Sequence, residues 1–315
     1  MARQLCVIPG DGIGPEVTSA TVSILRSIDP DLNIIEAEAG WGTFEKLGTS
    51  VPQETLEAIR ETGAALFGAV SSPSRKVAGY RSAILTMRQE LNLFANIRPV
   101  DSNWSQGSRE GANFIVVREN TEGLYVGRET ETDEGAIAER VITRQASTRI
   151  GQQAARLAIQ LGLPNITVVH KANVLPKSDG LFRDCVIEAI QRECDQASHS
   201  IEVDELLVDI AAFHIASDPS RFRMIVTTNM FGDILSDLGA VWCGGMGRAP
   251  SINLGDQVAL AEPVHGSAPD IAGKGLADPT ATILSAALLY RYHWREESLA
   301  NQLETLANDV TTTVE

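Results

Sequence analysis

The segment N-M-F-G-D-I-L-S-D, residues 229–237, spaces two carboxylates so that they could bind a divalent cation. Asp233 and Asp237 are four residues apart, so in a helix both side chains lie on one face, one turn apart. Like charges at this spacing repel by roughly 0.2–0.5 kcal/mol. A hard cation such as Mg²⁺ or Mn²⁺, which prefers oxygen ligands, would remove that cost. The alternative is a solvated helix start, where the helix dipole favours Asp233.

A second group of chemically useful side chains lies between residues 88 and 171. Arg88, Arg98 and Arg118 occur in strand-like or strand-flanking contexts. A guanidinium binds a carboxylate through two parallel hydrogen bonds, so three converging arginines would suit a di- or tricarboxylic acid. Taken singly, each arginine could instead form a surface ion pair. Tyr125 and Lys171 follow, and Lys171 comes directly after the apolar run I-T-V-V-H, at a strand end where active-site groups gather.

The stretch from residue 262 to residue 281 reads E-P-V-H-G-S-A-P-D-I-A-G-K-G-L-A-D-P-T-A. It combines glycines and prolines with His265, Ser267 and Asp270. Such a mixture of turn-forming and polar residues rarely serves packing alone, so we predict a ligand-binding loop.

The elements that must carry these residues alternate between short apolar strands and amphipathic helices. Such alternation predicts an α/β fold with a largely parallel sheet. Gly10, Gly12 and Gly14 follow the first strand, but G-x-G-x-G is not the dinucleotide fingerprint G-x-G-x-x-G, so a Rossmann domain is not indicated. The predicted strands include 5–8, 64–70, 113–117, 166–170 and 224–228, and helical periodicity occurs around 53–61, 148–161 and 180–192.

Bulk composition limits the class of function. The 315 residues are 43% hydrophobic, with a net charge of −15 and no Lys/Arg-rich run, which disfavours nucleic acid and anionic membranes as partners. The first apolar stretch is too short for a signal peptide, and no later run approaches the length of a membrane span, so we expect a soluble cytoplasmic protein. The four cysteines lack any C-x-x-C spacing, which favours reduced thiols over zinc ligands or disulfides.

Together the segments resemble the metal-dependent β-decarboxylating dehydrogenases, the family of isocitrate, homoisocitrate, 3-isopropylmalate and tartrate/D-malate dehydrogenases. The matching motifs follow the family's order over nearly the whole chain. The segments E-A-E-A-G-W-G-T-F-E and V-V-R-E-N-T-E-G-L-Y look most like the homoisocitrate branch. The remaining motifs are G-D-G-I-G-P-E-V, L-F-A-N-I-R-P, H-K-A-N-V-L, N-M-F-G-D-I-L-S-D and E-P-V-H-G-S-A-P-D-I-A-G-K-G.

The resemblance implies an isocitrate/isopropylmalate dehydrogenase-like fold, in which two α/β lobes share a large twisted mixed sheet. The first lobe would comprise residues 1–99 and 251–315 and bind NAD. The second, residues 100–250, would carry the substrate and metal sites and the dimer interface, with an arm around 125–145. An ordinary surface loop is the alternative for the polar stretch 127–140. The protein is expected to be a homodimer with shared active sites, or a tetramer.

The resemblance also implies catalytic and metal-binding roles. Tyr125 and Lys171 would handle protons. Mg²⁺ or Mn²⁺ would be held by Asp233, Asp237 and a third aspartate which, like Lys171, comes from the neighbouring subunit. The segment E-V-D-E-L-L-V-D offers Asp204 and Asp209 for this third position, and the match to the sequence that follows selects Asp209.

The remaining site residues are assigned in the same way. Asp270 would meet the adenosine ribose, where a carboxylate accepts a hydrogen bond from a 2'-hydroxyl and repels a 2'-phosphate, so NAD is favoured over NADP. Asp278 stands where the family usually has asparagine near the adenine. The substrate-binding residues would be Ser72, Ser82, Leu85, Arg88, Arg98, Arg118 and Asn173, and the cofactor-binding residues Ile13, Glu262, His265, Gly266, Ser267, Ala268, Asp270 and Asp278.

The implied reaction is an oxidative decarboxylation of a 3-substituted (2R)-malate, a 2-hydroxy di- or tricarboxylic acid of the homoisocitrate or isocitrate type. Ser82 matches a serine that binds isocitrate's third carboxylate and Arg81 could reach a distal charge, whereas Ile84 and Leu85 resemble a pair that receives an isopropyl group. A 3-isopropylmalate dehydrogenase of leucine biosynthesis and a tartrate/D-malate dehydrogenase therefore stay open, as does a non-catalytic regulatory subunit. The chain ends at T-T-T-V-E, before the family's closing segment, so we expect part of the first lobe's packing to be missing.

Overall fold

The computed structural model of this chain describes residues 3–75, 77–104 and 110–312, so the last residues of T-T-T-V-E lie outside the described part. Twelve strands occur in the described residues. They are β1 Gln4–Gly10, β2 Asn33–Glu36, β3 Ala64–Ala69, β4 Ala95–Asp101, β5 Asn113–Glu119, β6 Glu129–Thr132, β7 Gly135–Ala138, β8 Asn165–His170, β9 Glu202–Leu207, β10 Met224–Thr227, β11 Pro250–Leu254 and β12 Ala259–Pro263.

Ten α-helices alternate with these strands over the same described ranges. A π-helical segment, Leu289–Trp294, follows the ninth helix. No helix in this part of the chain is both long and apolar enough to cross a membrane. The helices are α1 Gly14–Ile28, α2 Trp41–Leu47, α3 Gln53–Thr62, α4 Ala83–Glu90, α5 Arg144–Leu161, α6 Ser178–Ala197, α7 Val208–Ser217, α8 Asn229–Ala240, α9 Thr280–Leu288 and α10 Glu297–Thr312.

The described residues divide into two compact units. The first contains residues 3–75, 77–93, 103–104 and 243–312. Its strands lie in the order β2-β1-β3-β12-β11, and only the β11–β12 pair is antiparallel. The central strand β3 is buried along its whole length. Such continuous burial is what a parallel strand covered on both faces requires.

The second unit contains residues 94–102 and 110–242. Its strands lie in the order β4-β5-β10-β8-β9, and only the β4–β5 pair is antiparallel. The long helices α5 and α6 pack against each other in this unit. Gly151 allows their close approach, since a Cβ at that position would lie 2.9 Å from the carbonyl oxygen of Val186. The predicted α/β class is confirmed, with antiparallel pairs making the strand arrangement mixed.

The polar stretch 127–140 contains a two-stranded antiparallel hairpin formed by β6 and β7. Every residue of both strands is exposed. The four cysteines are free and buried.

Candidate active site

The two aspartates of the N-M-F-G-D-I-L-S-D segment lie on α8 and reach the same arginine. Arg98 Nη1 on β4 lies 3.0 Å from Asp237 Oδ1 and 3.5 Å from Asp233 Oδ1. The side chain of Arg98 is almost completely buried, whereas the side chain of Asp233 is 32% exposed and that of Asp237 is 47% exposed. The helical spacing therefore aims both acids in one direction, as the sequence indicated.

Arg118 on β5 approaches Asp233 from a fully buried position. Its guanidinium forms an ion pair with Asp233 and also donates to Asn229 Oδ1, from Nε at 3.0 Å and from Nη2 at 2.8 Å. Gly232 makes room for the arginine, because a Cβ there would lie 2.7 Å from Arg118 Cβ and Cγ. A buried cation is stabilised only when several partners compensate its desolvation, and the start of α8 supplies them.

The hydroxyl of Tyr125 donates a hydrogen bond to the second carboxylate oxygen of Asp233. The guanidinium of Arg118 stacks over the tyrosine ring, 5.1 Å from its centroid. Burial raises the pKa of Tyr125, and the bond to Asp233 raises it further. The phenol therefore keeps its proton at neutral pH, beside a carboxylate that orients it, and it is suited to donate a proton.

The chemistry of the two carboxylates fits a hard divalent cation. Burial raises the pKa of Asp237, Arg98 lowers it and the nearby charge of Asp233 raises it. A cation at these half-exposed oxygens would relieve the repulsion between the two acids and stabilise their charged forms. Over the described ranges, no cluster of three or more His, Cys, Asp or Glu side chains is arranged to hold a metal ion.

Lys171 and Asp209 form a separate ion pair. Lys171 follows β8 directly, and its ammonium group contacts the carboxylate of Asp209 in the first turn of α7. The lysine side chain is 26% exposed and the aspartate 56%, and the lysine lowers the pKa of Asp209. Asn173 is exposed in the turn that follows. Asp204, the rejected third ligand, pairs with Arg221 at 3.1 Å.

Arg88 lies on α4 in the other unit. Its Nη2 lies 2.7 Å from Glu262 Oε1, which also accepts a hydrogen bond from Asn253 Nδ2 at 2.8 Å. The Nε of Arg88 is buried without a hydrogen-bond partner among the described residues. The structure thus joins a predicted substrate residue to a predicted cofactor residue. Convergence of Arg88 with the other two arginines stays a prediction.

Two of the predicted specificity residues, Ser82 and Leu85, lie at the start of α4. The backbone carbonyl of Ser82 accepts from the Thr86 backbone N–H at 2.9 Å, and Leu85 is half-buried. Ser72, in the loop after β3, is exposed. The guanidinium of Arg81, which precedes α4, bonds to Gln89 on that helix.

The glycine turn after β1 contacts the loop that follows β12. The backbone N–H of Ile13 donates to the Ser267 carbonyl at 2.9 Å. Gly12 has φ +58°, and a Cβ there would lie 2.0 Å from the same carbonyl oxygen, so only glycine fits. The side chain of Ser267 bonds to Ser71 Oγ at 2.8 Å. Farther along the loop Gly266 and Asp270 are exposed, and Ala268 has φ +38°.

Two other residues of this loop already have local partners. Asp278 accepts a hydrogen bond at 2.9 Å from the backbone N–H of Thr280, the first residue of α9. Its other carboxylate oxygen lies 3.3 Å from Arg248 Nε. Burial lowers the pKa of His265, so its ring is neutral at neutral pH. Its Nδ1 lies 3.0 Å from the Gly266 carbonyl oxygen.

Three polar residues near these groups were not assigned from the sequence. Asn229 binds Arg118, and Asp11 accepts from the backbone N–H groups of Trp41, Gly42 and Ser71 at 2.8–2.9 Å. Asp179 is fully buried and accepts from the backbone N–H of Lys171 at 2.7 Å. Asn229 and Asp11 lie inside the family motifs quoted above, so their place in those motifs could have marked them as site residues. Nothing local in the sequence distinguishes Asp179 from a first-turn helix acid.

The sequence profile of the family described as isocitrate/isopropylmalate dehydrogenase matches residues 4–314. The chain belongs to this family. It is therefore a dehydrogenase, an oxidoreductase enzyme.

Relatives and solved structures agree with this assignment. The chain is 50% identical over 298 residues to the isocitrate/homoisocitrate dehydrogenase of Thermus thermophilus, covering 95% of this chain and 88% of that protein. It is 47% identical over 304 residues to the 3-isopropylmalate dehydrogenase of Methanothermobacter thermautotrophicus, covering 96% and 89%. The crystal structure of isocitrate dehydrogenase from Methylococcus capsulatus matches with a TM-score of 0.88 at 39% identity, covering 98% and 91%. The predicted family and its fold are confirmed.

Proposed function

We propose that this protein catalyses NAD-dependent and divalent-metal-dependent oxidative decarboxylation of a 3-substituted (2R)-malate of the homoisocitrate or isocitrate type. The observation that carries the proposal is the group around Asp233. Two buried arginines and a protonated tyrosine meet at this carboxylate, on the helix that also carries Asp237. This group thereby brings together arginines that would bind substrate carboxylates, aspartates that would bind a metal ion and a tyrosine that would donate a proton.

The arginines would bind and orient the substrate. Arg98 and Arg118 are charged at any physiological pH and are held in fixed positions by their partners on α8. Each can offer N–H groups to a substrate carboxylate. Arg88 would bind another carboxylate, and Glu262 would hold its guanidinium in place.

Two residues would move protons. Lys171 would take the proton of the 2-hydroxyl during oxidation, and Tyr125 would protonate the enolate that remains after carbon dioxide is lost. NAD would supply the hydride acceptor. When bound, a Mg²⁺ or Mn²⁺ ion would supply Lewis-acid polarisation of the substrate's oxygen atoms. Asp233, Asp237 and a second subunit's Asp209 would hold it.

A dimer with shared sites is part of the proposal. Four large apolar side chains of the second unit are 43–65% exposed on α7, on α8 and directly after α8, and α7 packs against α8. Exposed apolar groups at this density favour burial against a partner. Asp209 lies next to one of them in the sequence, so a second copy covering this face would bring Asp209 and Lys171 towards the partner's α8. The four residues are Ile210, Phe213, Ile234 and Val241.

The cofactor and localisation proposals depend on the first unit and on composition. Ile13, Glu262, His265, Gly266, Ser267, Ala268, Asp270 and Asp278 would bind NAD. The exposed carboxylate of Asp270 would accept from the ribose 2'-hydroxyl and repel a 2'-phosphate. A cytoplasmic location agrees with the buried, free cysteines.

One other substrate, 3-isopropylmalate, has specific support. The relative from Methanothermobacter thermautotrophicus is a 3-isopropylmalate dehydrogenase, and the half-buried Leu85 would suit an isopropyl group. D-Malate has no substituent at carbon 3, so neither Ser82 nor Leu85 would support it as the substrate. A regulatory subunit is disfavoured, because Tyr125 and Lys171 are both present.

The test is NAD reduction by the purified protein with Mg²⁺ or Mn²⁺, measured by absorbance. Homoisocitrate, isocitrate, 3-isopropylmalate and D-malate are compared at equal concentrations. We expect the highest kcat/KM with homoisocitrate or isocitrate. A preference for 3-isopropylmalate would overturn the substrate assignment, and no turnover of any of the four by an intact, metal-binding protein would overturn the proposed function.

A further inference from the structure

Arg140 and Asp179 form an ion pair at the base of the turn that carries Lys171. Asp179 lies in the first turn of α6 and is completely buried. One of its carboxylate oxygens accepts from the Lys171 backbone N–H at 2.7 Å, and the other contacts the guanidinium of Arg140. The turn between β8 and α6 is thus held by a buried carboxylate that is paired with Arg140.

The same guanidinium also contacts the start of α8. Its Nη2 donates to Thr228 Oγ1 at 3.1 Å, and Thr228 is the residue immediately before that helix. The guanidinium stacks on the ring of Phe231, 5.3 Å from its centroid, and Nη1 donates to Ser178 Oγ at 3.2 Å. Arg140 therefore bonds to the residues that hold Lys171 and to the first turn of the helix that carries Asp233 and Asp237.

We propose that Arg140 and Asp179 are positioning residues that hold the backbone of Lys171 and tie it to the first turn of α8. The consequence for catalysis rests on the proposed function of Lys171 as proton acceptor. In a dimer with shared sites, Lys171 serves the partner's site and α8 its own, so this one guanidinium would link the two sites.

The physical reason is that only arginine can make these contacts together. A planar guanidinium has five donors in a fixed fork, so it can bond to a carboxylate and a hydroxyl on different elements while its face stacks on an aromatic ring. Lysine could keep the charge beside Asp179 but not the simultaneous bond to Thr228. Without the guanidinium, the buried carboxylate loses the cation that compensates its desolvation and rearranges, so its bond to Lys171 is loosened.

The first experiment measures amide hydrogen exchange of the intact protein and needs no substrate. In Arg140→Met, the peptide spanning residues 170–175 should exchange at least about tenfold faster than in the unaltered protein, because the Lys171 N–H has lost a rigid acceptor. Arg156→Met, which removes an exposed ion pair with Glu193 in the same unit, is the matched control and should leave this peptide unchanged. Unchanged exchange at residues 170–175 in Arg140→Met would overturn the proposal.

The second experiment separates positioning from general damage. Arg140→Met should lower kcat for NAD reduction roughly 10- to 100-fold with little change in the KM for NAD, because a small misplacement of a catalytic group has that cost. Decarboxylation of the added 2-oxo acid intermediate, which does not need the hydroxyl proton to be removed, should stay near normal. Equal losses in both reactions would show a merely structural role.

Further variants keep the proposal testable if Arg140→Met folds poorly. Arg140→Lys should restore part of kcat. The double variant Arg140→Met with Asp179→Asn removes the uncompensated buried charge but not the need for an anchor, so it should fold and keep the low kcat. A double variant with normal kcat and normal exchange would overturn the proposal. Altered exchange in an enzyme that turns over none of the substrates would instead refute the proposed function and leave the positioning intact.

Discussion

At the scale of single residues, Asp233 is the centre of the candidate site. One of its carboxylate oxygens faces two arginines and the other accepts from Tyr125. A carboxylate with this many partners keeps its position, and it keeps the tyrosine hydroxyl in position too. Lys171 has one carboxylate partner at its ammonium and a second at its backbone N–H.

Replacing Lys171 with Met should lower turnover by roughly 10² to 10⁴, the range that a general acid or base supplies. Initial rates of NAD reduction at saturating substrate would measure this loss. Lys177→Met, which removes an exposed lysine six positions along the chain, is the control and should keep normal turnover. Near-normal turnover in Lys171→Met would remove this residue from the mechanism.

Replacing Asp270 with Lys should reduce the preference for NAD over NADP by roughly tenfold or more. The carboxylate repels a 2'-phosphate, whereas an ammonium attracts it, and like charges in contact cost several kcal/mol. The kcat/KM ratio for the two cofactors is the measurement. Asp256→Lys alters another exposed acid of the same unit and should leave the ratio unchanged. An unchanged ratio in Asp270→Lys would refute the ribose assignment.

At the scale of elements, the site residues are carried by strand ends and helix starts. The predicted strands 5–8, 64–70, 113–117, 166–170 and 224–228 are all present, as are helices at 53–62, 144–161 and 178–197. The apolar periodicity within each of these short segments is strong enough to predict the element without information from the rest of the chain. The antiparallel pairing of β4 with β5 and of β11 with β12 was not predicted, because β4, β11 and β12 are not among the strands that the apolar runs indicated.

A buried ion pair connects three elements of the first unit and should make stability depend on pH. Asp29, directly after α1, binds Arg3 Nε at 2.8 Å and accepts from the Tyr290 hydroxyl at 2.9 Å. Arg3, more than any other group, holds the pKa of Asp29 below its usual value. The contribution to stability is therefore complete above about pH 4 and is lost as the pH falls through the lowered pKa.

Asp29→Asn should destabilise the protein by about 2 kcal/mol at neutral pH, the typical value of a hydrogen bond to a charged group. The difference from the unaltered protein should shrink as the pH falls below about 4, because the carboxylate of the unfolded protein takes up its proton there, and it should be lost once the pH passes the lowered pKa of the folded protein. Denaturant unfolding at neutral and acidic pH measures both quantities. Asp31→Asn changes an exposed acid two residues away and is the control. A destabilisation that is the same at every pH would contradict the ion-pair account.

At the scale of the whole molecule, the exposed apolar side chains of α7 and α8 favour association with a second copy. Phe213→Asp should weaken the dimer at least about tenfold, since burying one phenylalanine stabilises by about 1.5–3 kcal/mol. Activity should fall with the dimer fraction, because Lys171 and Asp209 would no longer reach the partner. Sedimentation velocity over a concentration series is the measurement.

Leu47→Asp is the control for this surface. Leu47 is 60% exposed on α2 of the first unit, close to the 65% of Phe213, so its replacement changes an equally exposed apolar group. It should leave both association and activity unchanged. A Phe213→Asp protein that stays dimeric would exclude this face as the interface.

The sequence by itself determined the α/β class, the family and the pair Asp233 and Asp237, because these depend on local periodicity and on motifs that are contiguous in the chain. The tertiary structure alone decided which partners the charged groups take. Arg88 pairs with Glu262, 174 residues away, and Arg140 reaches Asp179 across 39 residues. Such pairs form because a buried charge must be compensated by whichever opposite charge the fold brings near it, and no local pattern encodes that choice.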